Sequence, residues 1–273
     1  MIYIKTAEEI ERVKAACVLT SRTLGEVAKW VKPGVTTRKL DNIAREFILD
    51  NGGKPACLGY YGFPGTLCIE VNEMVVHGFP SGYVLQEGDI VGTDLVVELD
   101  GMNGDSCYTF PVGEIDEKTA RLLRVTKESL YKGIEVARAG KRIGDISNAV
   151  QTYCEHNGYS VVREMCGHGI GKSMHEDPEV PNYGRRGIGP VLKPGMCICI
   201  EPMINMGSKN VVIDSVNGWE CRTRDRKPSA HYEHTVAITD GAPEILTTFD
   251  YIEAALGHET HAGDDINHVI TNN

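Results

Sequence analysis

The sequence predicts an α+β fold made of two similar halves, and three observations support this prediction. Two amphipathic helical segments open the chain, a stretch of short apolar runs follows, and the same order of segments then returns. The helix stops recur at a nearly constant offset, since Asn51-Gly52 corresponds to Asn157-Gly158. In each half an acidic residue, Asp94 or Glu201, follows a glycine at the same spacing. The halves cover about residues 1–115 and 116–250, and we expect them to share one core.

The first half is predicted to contain two helices followed by strands. Thr6-Ala7-Glu8-Glu9 matches the pattern of a capping box, and apolar residues follow it at helical spacing as far as Pro33-Gly34. Residues 37–51 form a second amphipathic segment, which Gly52-Gly53 ends. From residue 57 to residue 114, Gly and Pro separate short apolar runs, a pattern typical of strands.

The second half repeats this order and leads into a C-terminal tail. Residues 117–139 and 143–157 are predicted helices that end at Gly140 and Gly158, and strands are expected over 161–245. We interpret residues 251–273 as an acidic tail. It contains His258-Glu259-Thr260-His261, but the second histidine is one position too close for an HExxH zinc motif.

Composition and charge exclude several classes of protein. The chain has 28 basic and 38 acidic residues, and no Lys or Arg follows Lys227, so no basic stripe is available for a phosphate backbone. No apolar run approaches the ~18 residues of a membrane span, and the N-terminus lacks the apolar region of a signal peptide. The nine cysteines form no CxxC pair, which indicates reduced thiols and a cytoplasmic location.

Four acidic residues lie in or beside apolar strand segments, where a carboxylate needs compensation. These are Asp94, Asp105, Glu201 and Glu233. No Lys or Arg adjoins them, and two divalent ions would neutralise four negative charges. Residues 166–178 supply two candidate imidazoles, and oxygen ligands with an imidazole suit Mn, Fe, Co or Zn.

These segments resemble the type I methionine aminopeptidases, a family with the pita-bread fold. The resemblance covers about residues 3–250 and rests on specific motifs: Val75-Val76-His77-Gly78-Phe79-Pro80, Gly92-Thr93-Asp94 with Asp105, Cys166-Gly167-His168-Gly169-Ile170-Gly171, Met174-His175-Glu176-Asp177-Pro178, Ile200-Glu201-Pro202-Met203 and Tyr232-Glu233-His234-Thr235. It implies two pseudo-symmetric helix-helix-strand halves around a central antiparallel sheet.

The resemblance also implies a set of metal ligands and catalytic residues. The ligands would be Asp94, Asp105, His168, Glu201 and Glu233, with Asp105 and Glu233 bridging two ions. A hydroxide between the ions would be the nucleophile, and Glu201 would carry its proton to the leaving amine. His175 would donate to the scissile carbonyl oxygen, and His77 would contact the substrate amide or leaving nitrogen.

An apolar pocket for the methionine side chain is implied as well. It would consist of Cys57, Tyr60, Phe63, Cys68 and Trp219. Two positions depart from the family pattern. Met174 stands where an aromatic residue is expected, so we expect it to border the second-residue site and to widen its tolerance. Gly92-Thr93 stands where Asn-Ile is more usual.

The expected function is removal of N-terminal methionine before a small second residue, with two ions of Co, Mn, Fe or Zn. A monovalent cation near Asn72 and Ser229 is a further expectation. Nascent polypeptide N-termini are the expected partners of a monomeric enzyme that binds neither nucleic acid nor membrane, and docking on the ribosome stays open. The alternatives are another pita-bread peptidase, either an X-Pro aminopeptidase or a dipeptidase, and a non-catalytic binding relative.

Overall fold

The helices of the two halves occur as the repeat predicts. A computed structural model describes residues 1–257, and its first helix pair is α1 (Ala7–Ala28) and α2 (Thr37–Asp50). The second pair is α3 (Glu117–Glu135) and α4 (Ile143–His156). Thr6 caps α1 through the predicted capping box with Glu9. Helices α1 and α3 end before the predicted stops because the chain enters hydrogen-bonded turns ahead of each glycine.

The other regular elements of the described chain are short strands and a 3₁₀ turn at Tyr60–Gly62. In the first half they are β1 (Lys54–Pro55), β2 (Cys68–Val71), β3 (Met74–Val76), β4 (Ile90–Leu99) and β5 (Met102–Pro111). In the second half they are β6 (Ser160–Val161), β7 (Gly167–Gly169), β8 (Glu176–Val180), β9 (Cys197–Ile200), β10 (Met203–Asn205), β11 (Val211–Ile213), β12 (Cys221–Thr223), β13 (Ser229–His231), β14 (Glu233–Ala237) and β15 (Glu244–Ile245).

One sheet joins the two halves. Within residues 1–257 it runs in the order β1-β4-β5-β14-β9-β7-β8, with β2 paired to β4 and β15 paired to β14. The halves meet where β5 and β14 pair antiparallel, with Glu233 opposite Cys107. The predicted α+β class, with two halves around a central antiparallel sheet, is therefore confirmed.

The two faces of the central sheet have different roles. On β4, Val91, Leu95 and Val97 belong to the main core, which also contains apolar residues of all four long helices. Asp94 and Val96 alternate with them and line a cavity on the opposite face. The helices thus support the sheet from one side and leave the other side free for a site.

The folded chain continues past the predicted start of the tail at residue 251. Helix α5 (Asp250–Leu256) buries Ile252 completely, and Tyr251 approaches α1 so closely that a side chain at Gly25 would overlap it. Residues 251–256 of the predicted tail therefore belong to a helix that packs on the rest of the protein. The histidine motif from His258 onward lies outside the described residues. Among the described helices, none has the length and apolar character needed to cross a membrane.

Candidate active site

The structure brings every residue predicted to bind divalent metal, bind substrate or take part in catalysis to one cavity of about 670 Å³. The predicted metal ligands are at one end, and the predicted methionine pocket adjoins them. The cavity is lined by Cys57, Tyr60, Phe63, Cys68, His77, Asp94, Asp105, His168, Met174, His175, Glu201, Trp219 and Glu233, among others.

The five predicted metal ligands come from neighbouring strands of the central sheet. Asp94 lies on β4, Asp105 on β5, Glu233 on β14 and His168 on β7, while Glu201 directly follows β9. These strands are adjacent in the order β4-β5-β14-β9-β7. Since side chains alternate between faces along a strand, matching register is enough to direct them all to the cavity.

His168 is held in the form that binds metal. Its Nδ1 lies 2.9 Å from the carbonyl oxygen of Gly169, which accepts the ring N–H and leaves a lone pair on Nε2. Burial lowers the pKa of His168 to about 3, so the ring is neutral. Its Nε2 lies 3.6 Å from both Asp105 Oδ2 and Glu201 Oε1. A cation between them would satisfy the lone pair and both acidic oxygens.

The buried carboxylates also lack partners that a cation would supply. Asp105 Oδ1 and Glu233 Oε1 are buried without a hydrogen-bond partner. Burial raises the pKa of Asp105, Glu201 and Glu233 well above the usual range, and the neighbouring carboxylates raise it further. Ligand atoms of Asp105, His168 and Glu233 lie within 4.8 Å of one another. The residues present therefore fit divalent metal ions.

Hydrogen bonds to the backbone hold these strands at the site. The Ser106 hydroxyl donates to the carbonyl of Glu233 at 2.9 Å, and the Thr235 hydroxyl donates to that of Asp105 at 2.8 Å. The amide of Asn182 donates to the Glu201 carbonyl at 2.9 Å. The backbone of three predicted ligands is therefore anchored by hydrogen bonds within the protein.

The apolar end of the cavity is a compact cluster. Cys57, Phe63, Cys68 and Met174 are buried together with Val96, and partly exposed Tyr60 and Trp219 pack against them. The Phe63 and Trp219 rings meet edge to face at 5.2 Å. Met174 thus packs with the predicted methionine pocket, and this packing does not support its expected place beside the second residue.

Two histidines stand between the metal end and the apolar end. The His175 ring packs edge to face on His168 at 4.4 Å, and its Nδ1 lies 3.2 Å from the Tyr60 hydroxyl. The His77 ring lies 5.6 Å from that of Trp219. Burial lowers the pKa of both His77 and His175. His77 also has a left-handed backbone with φ of 60°, a costly conformation that is often found at functional sites.

Several residues near the ligands were missed by the sequence analysis. Cys199 places its sulfur close to Asp105, His168 and Glu233, and a second buried group contains Glu70, Cys107 and His231. The strand period of two could have indicated three of these residues. Glu70 lies two residues after Cys68, and Cys199 and His231 lie two residues before Glu201 and Glu233.

The two residues predicted to flank a monovalent cation lie together. The backbone N–H of Ser229 donates to the carbonyl of Asn72 at 2.9 Å, and Asn72 has a left-handed backbone with φ of 53°.

Comparison with known proteins places this geometry in a family. Residues 11–240 match the model of metallopeptidase family M24. The methionine aminopeptidase of Clostridium perfringens is 52% identical over 248 residues, which cover 90% of this chain and 99% of that protein. The crystal structure of methionine aminopeptidase from Rickettsia prowazekii superposes with a TM-score of 0.90 at 43% identity, over 91% of this chain and 100% of that one. The prolidase from Pyrococcus horikoshii shares the fold alone, with a TM-score of 0.74 and 22% identity over 90% of this chain and 64% of its own. The chain belongs to metallopeptidase family M24.

Proposed function

We propose that this protein removes the N-terminal methionine from nascent proteins and peptides whose second residue is small. One observation carries the proposal: a single cavity combines a buried set of potential metal ligands with an apolar cluster that can enclose a thioether side chain. The names of the Clostridium and Rickettsia relatives support the same activity.

The proposed cofactors are two divalent ions, and Co, Mn, Fe and Zn all suit the donor set. Asp94, Asp105, His168, Glu201 and Glu233 would hold them. When bound, such a pair lowers the pKa of water between the ions and polarises a carbonyl group. The choice among the four metals is left to availability in the cell.

Glu201 is the proposed proton carrier. Its Oε1 faces His168 within the ligand cluster, and its Oε2 points away from the cluster toward His231. A carboxylate with one oxygen in the cluster and one beside it can accept a proton from the attacking water. It can then pass that proton to the leaving amine.

His175 and His77 are proposed to orient the substrate. If the Tyr60 hydroxyl donates to Nδ1 of His175, the ring hydrogen resides on Nε2, which can donate to the carbonyl oxygen as charge develops there. His77 is proposed to contact the substrate amide or leaving nitrogen. Neutral rings suit both roles, because each then has a donor and an acceptor.

The methionine side chain is proposed to occupy the space lined by Cys57, Tyr60, Phe63, Cys68 and Trp219, with Met174 at its wall. Sulfur packs favourably against aromatic edges and thiols, which this cluster provides. A straight thioether chain fits such a lining better than a branched or charged side chain.

The finer expectations remain part of the proposal. A monovalent cation would bind backbone groups near Asn72 and Ser229. The enzyme would act as a monomer in the cytoplasm on nascent N-termini. Cosedimentation with ribosomes tests whether it also docks on the ribosome. Light scattering of the purified protein measures its oligomeric state.

A peptide panel separates this function from its rivals. Metal-free protein is supplied with Mn²⁺ and assayed for amino-acid release from Met-Ala-Ser, Met-Lys-Ser and Ala-Pro. We expect release from Met-Ala-Ser alone, and only with metal. Release from Ala-Pro would favour an X-Pro peptidase, and no release with any metal would favour a non-catalytic relative.

A further inference from the structure

A buried carboxylate and imidazole lie directly behind Glu201. The side chains of Glu70 and His231 are each 2% exposed, and His231 Nδ1 lies 3.1 Å from Glu70 Oε1. On the other side of the ring, Nε2 lies 3.7 Å from Glu201 Oε2 and has no hydrogen-bond partner. Glu70, His231 and Glu201 thus form a row in which the imidazole has an acidic oxygen at each nitrogen.

The surrounding strands are shaped to hold this pair. Glu70 lies on β2 opposite Gly92 of β4, and a Cβ at Gly92 would overlap the Glu70 carboxylate. The departure from the family pattern at Gly92 therefore makes the space that Glu70 fills. The Cys107 thiol also contacts Glu70 Oε2, at 3.8 Å. The absence of a side chain at Gly92 therefore creates a space that matches the Glu70 carboxylate.

The backbone of His231 is fixed equally well. Its N–H donates to the Thr109 hydroxyl at 3.0 Å, and that hydroxyl donates to the His231 carbonyl at 2.7 Å. With its backbone anchored and Nδ1 held by Glu70, the ring can present only Nε2 to Glu201. Groups that contact a metal ligand and hold its orientation are a common part of metal sites.

The two oxygens of Glu201 therefore have separate surroundings. Oε1 lies 3.6 Å from His168 Nε2, within the predicted ligand cluster, while Oε2 faces His231. We propose that Glu70 and His231 form a positioning pair: a hydrogen between Glu70 and Nδ1 orients the ring, and a hydrogen on Nε2, 3.7 Å from Oε2, attracts that oxygen and keeps Oε1 in the metal cluster. This inference rests on the proposed function and adds two residues to it.

Amide substitutions at His231 distinguish the two ring nitrogens. The Gln amide nitrogen occupies the place of Nε2, whereas the Asn amide nitrogen occupies the place of Nδ1. His231→Gln should thus keep a donor for Glu201, and His231→Asn and His231→Leu should lose it. His234→Gln is the matched control, because His234 is equally buried but packs on Phe249 rather than on a site residue.

Two readouts are needed, binding of Mn²⁺ to the metal-free protein by calorimetry and kcat with KM for a Met-Ala-Ser peptide. We expect His231→Asn and His231→Leu to lose about 10–100-fold in Mn²⁺ affinity and in kcat, with KM changed much less. His231→Gln should stay within about tenfold of the unmodified protein. The control should lower the melting temperature without changing Mn²⁺ affinity.

Variants at the other end of the row provide an independent test if the His231 variants do not fold. Glu70→Gln keeps a partner for Nδ1, because its amide N–H can donate there and leave the ring hydrogen on Nε2. This variant should bind Mn²⁺ nearly as well as the unmodified protein. Glu70→Leu and Gly92→Ala should weaken Mn²⁺ binding as His231→Leu does, because each displaces or removes the carboxylate. The positioning role would be overturned if the Leu variants of His231 and Glu70 had the same Mn²⁺ affinity and kcat as the Gln variants and the unmodified protein. Absence of methionine release by the unmodified protein would instead overturn the proposed function.

Discussion

Replacing Glu201 by Gln tests the proposed proton carrier. The amide keeps the size of the side chain and one oxygen, so a single acceptor must serve both the metal cluster beside His168 and the imidazole of His231. It cannot take up a proton at neutral pH. We therefore expect the fold to persist and turnover to collapse.

The magnitude follows from the role assigned to Glu201. Proton transfer by a positioned side chain contributes about 10²–10⁴-fold to rate, which corresponds to about 2.7–5.4 kcal/mol in the activation barrier. Because the methionine pocket is untouched, the loss should appear in kcat and KM should change little.

The assay is the initial rate of methionine release from Met-Ala-Ser at saturating Mn²⁺, with bound metal measured by atomic spectroscopy. Glu164→Gln is a suitable control, since Glu164 is an exposed carboxylate at the rim of the same cavity. It should retain nearly full activity. If Glu201→Gln kept more than about a tenth of the unmodified rate, a loss smaller than acid–base catalysis requires, the assignment would be refuted.

Three further predictions concern the cavity. The raised pKa of Asp105, Glu201 and Glu233 means that their charged forms are disfavoured in the folded state, so the metal-free protein should lose stability as pH rises from about 4.5 toward neutrality. Thermal melts over this range should show a falling melting temperature that Mn²⁺ restores, and a pH-independent melting temperature would contradict it. Trp219→Ala should lower kcat/KM for methionine peptides by about 10–200-fold, mainly by raising KM, as measured by steady-state kinetics. An unchanged KM would show that Trp219 does not bind the methionine side chain. Met174→Phe should lower kcat/KM equally for Met-Gly and Met-Val peptides, because Met174 packs with the first-residue pocket; selective slowing of Met-Val would favour the second-residue site expected from sequence.

The sequence predicted the helices and the repeat because these depend on local patterns. Capping at Thr6 and apolar periodicity act within a few residues, and both appear in the structure. The short strands of the second half depend on distant partners, as β14 does on β5. Helix α5 was not predicted for a similar reason, since it is stabilised by burying Ile252 rather than by a strong local signal.

For the site, the sequence could indicate the individual acidic residues but not the contacts between strands. An acid in an apolar strand, such as Asp94 or Glu201, is anomalous on its own and is visible in sequence. The place of Met174 and the pairing of Glu70 with His231 depend on which strands lie side by side. In the sequence Gly92 was only a departure from the family pattern. Its role became clear from Glu70, which lies opposite it on β2.

The central claim is that five side chains hold two divalent ions beside a methionine pocket. Crystals grown with Mn²⁺ and free methionine test it directly, through anomalous diffraction near the manganese absorption edge. We predict two peaks about 3.5–4 Å apart, surrounded by Asp94, Asp105, His168, Glu201 and Glu233, with the methionine side chain packed on Phe63 and Trp219. Peaks elsewhere in the molecule, or none among these five residues, would contradict the account.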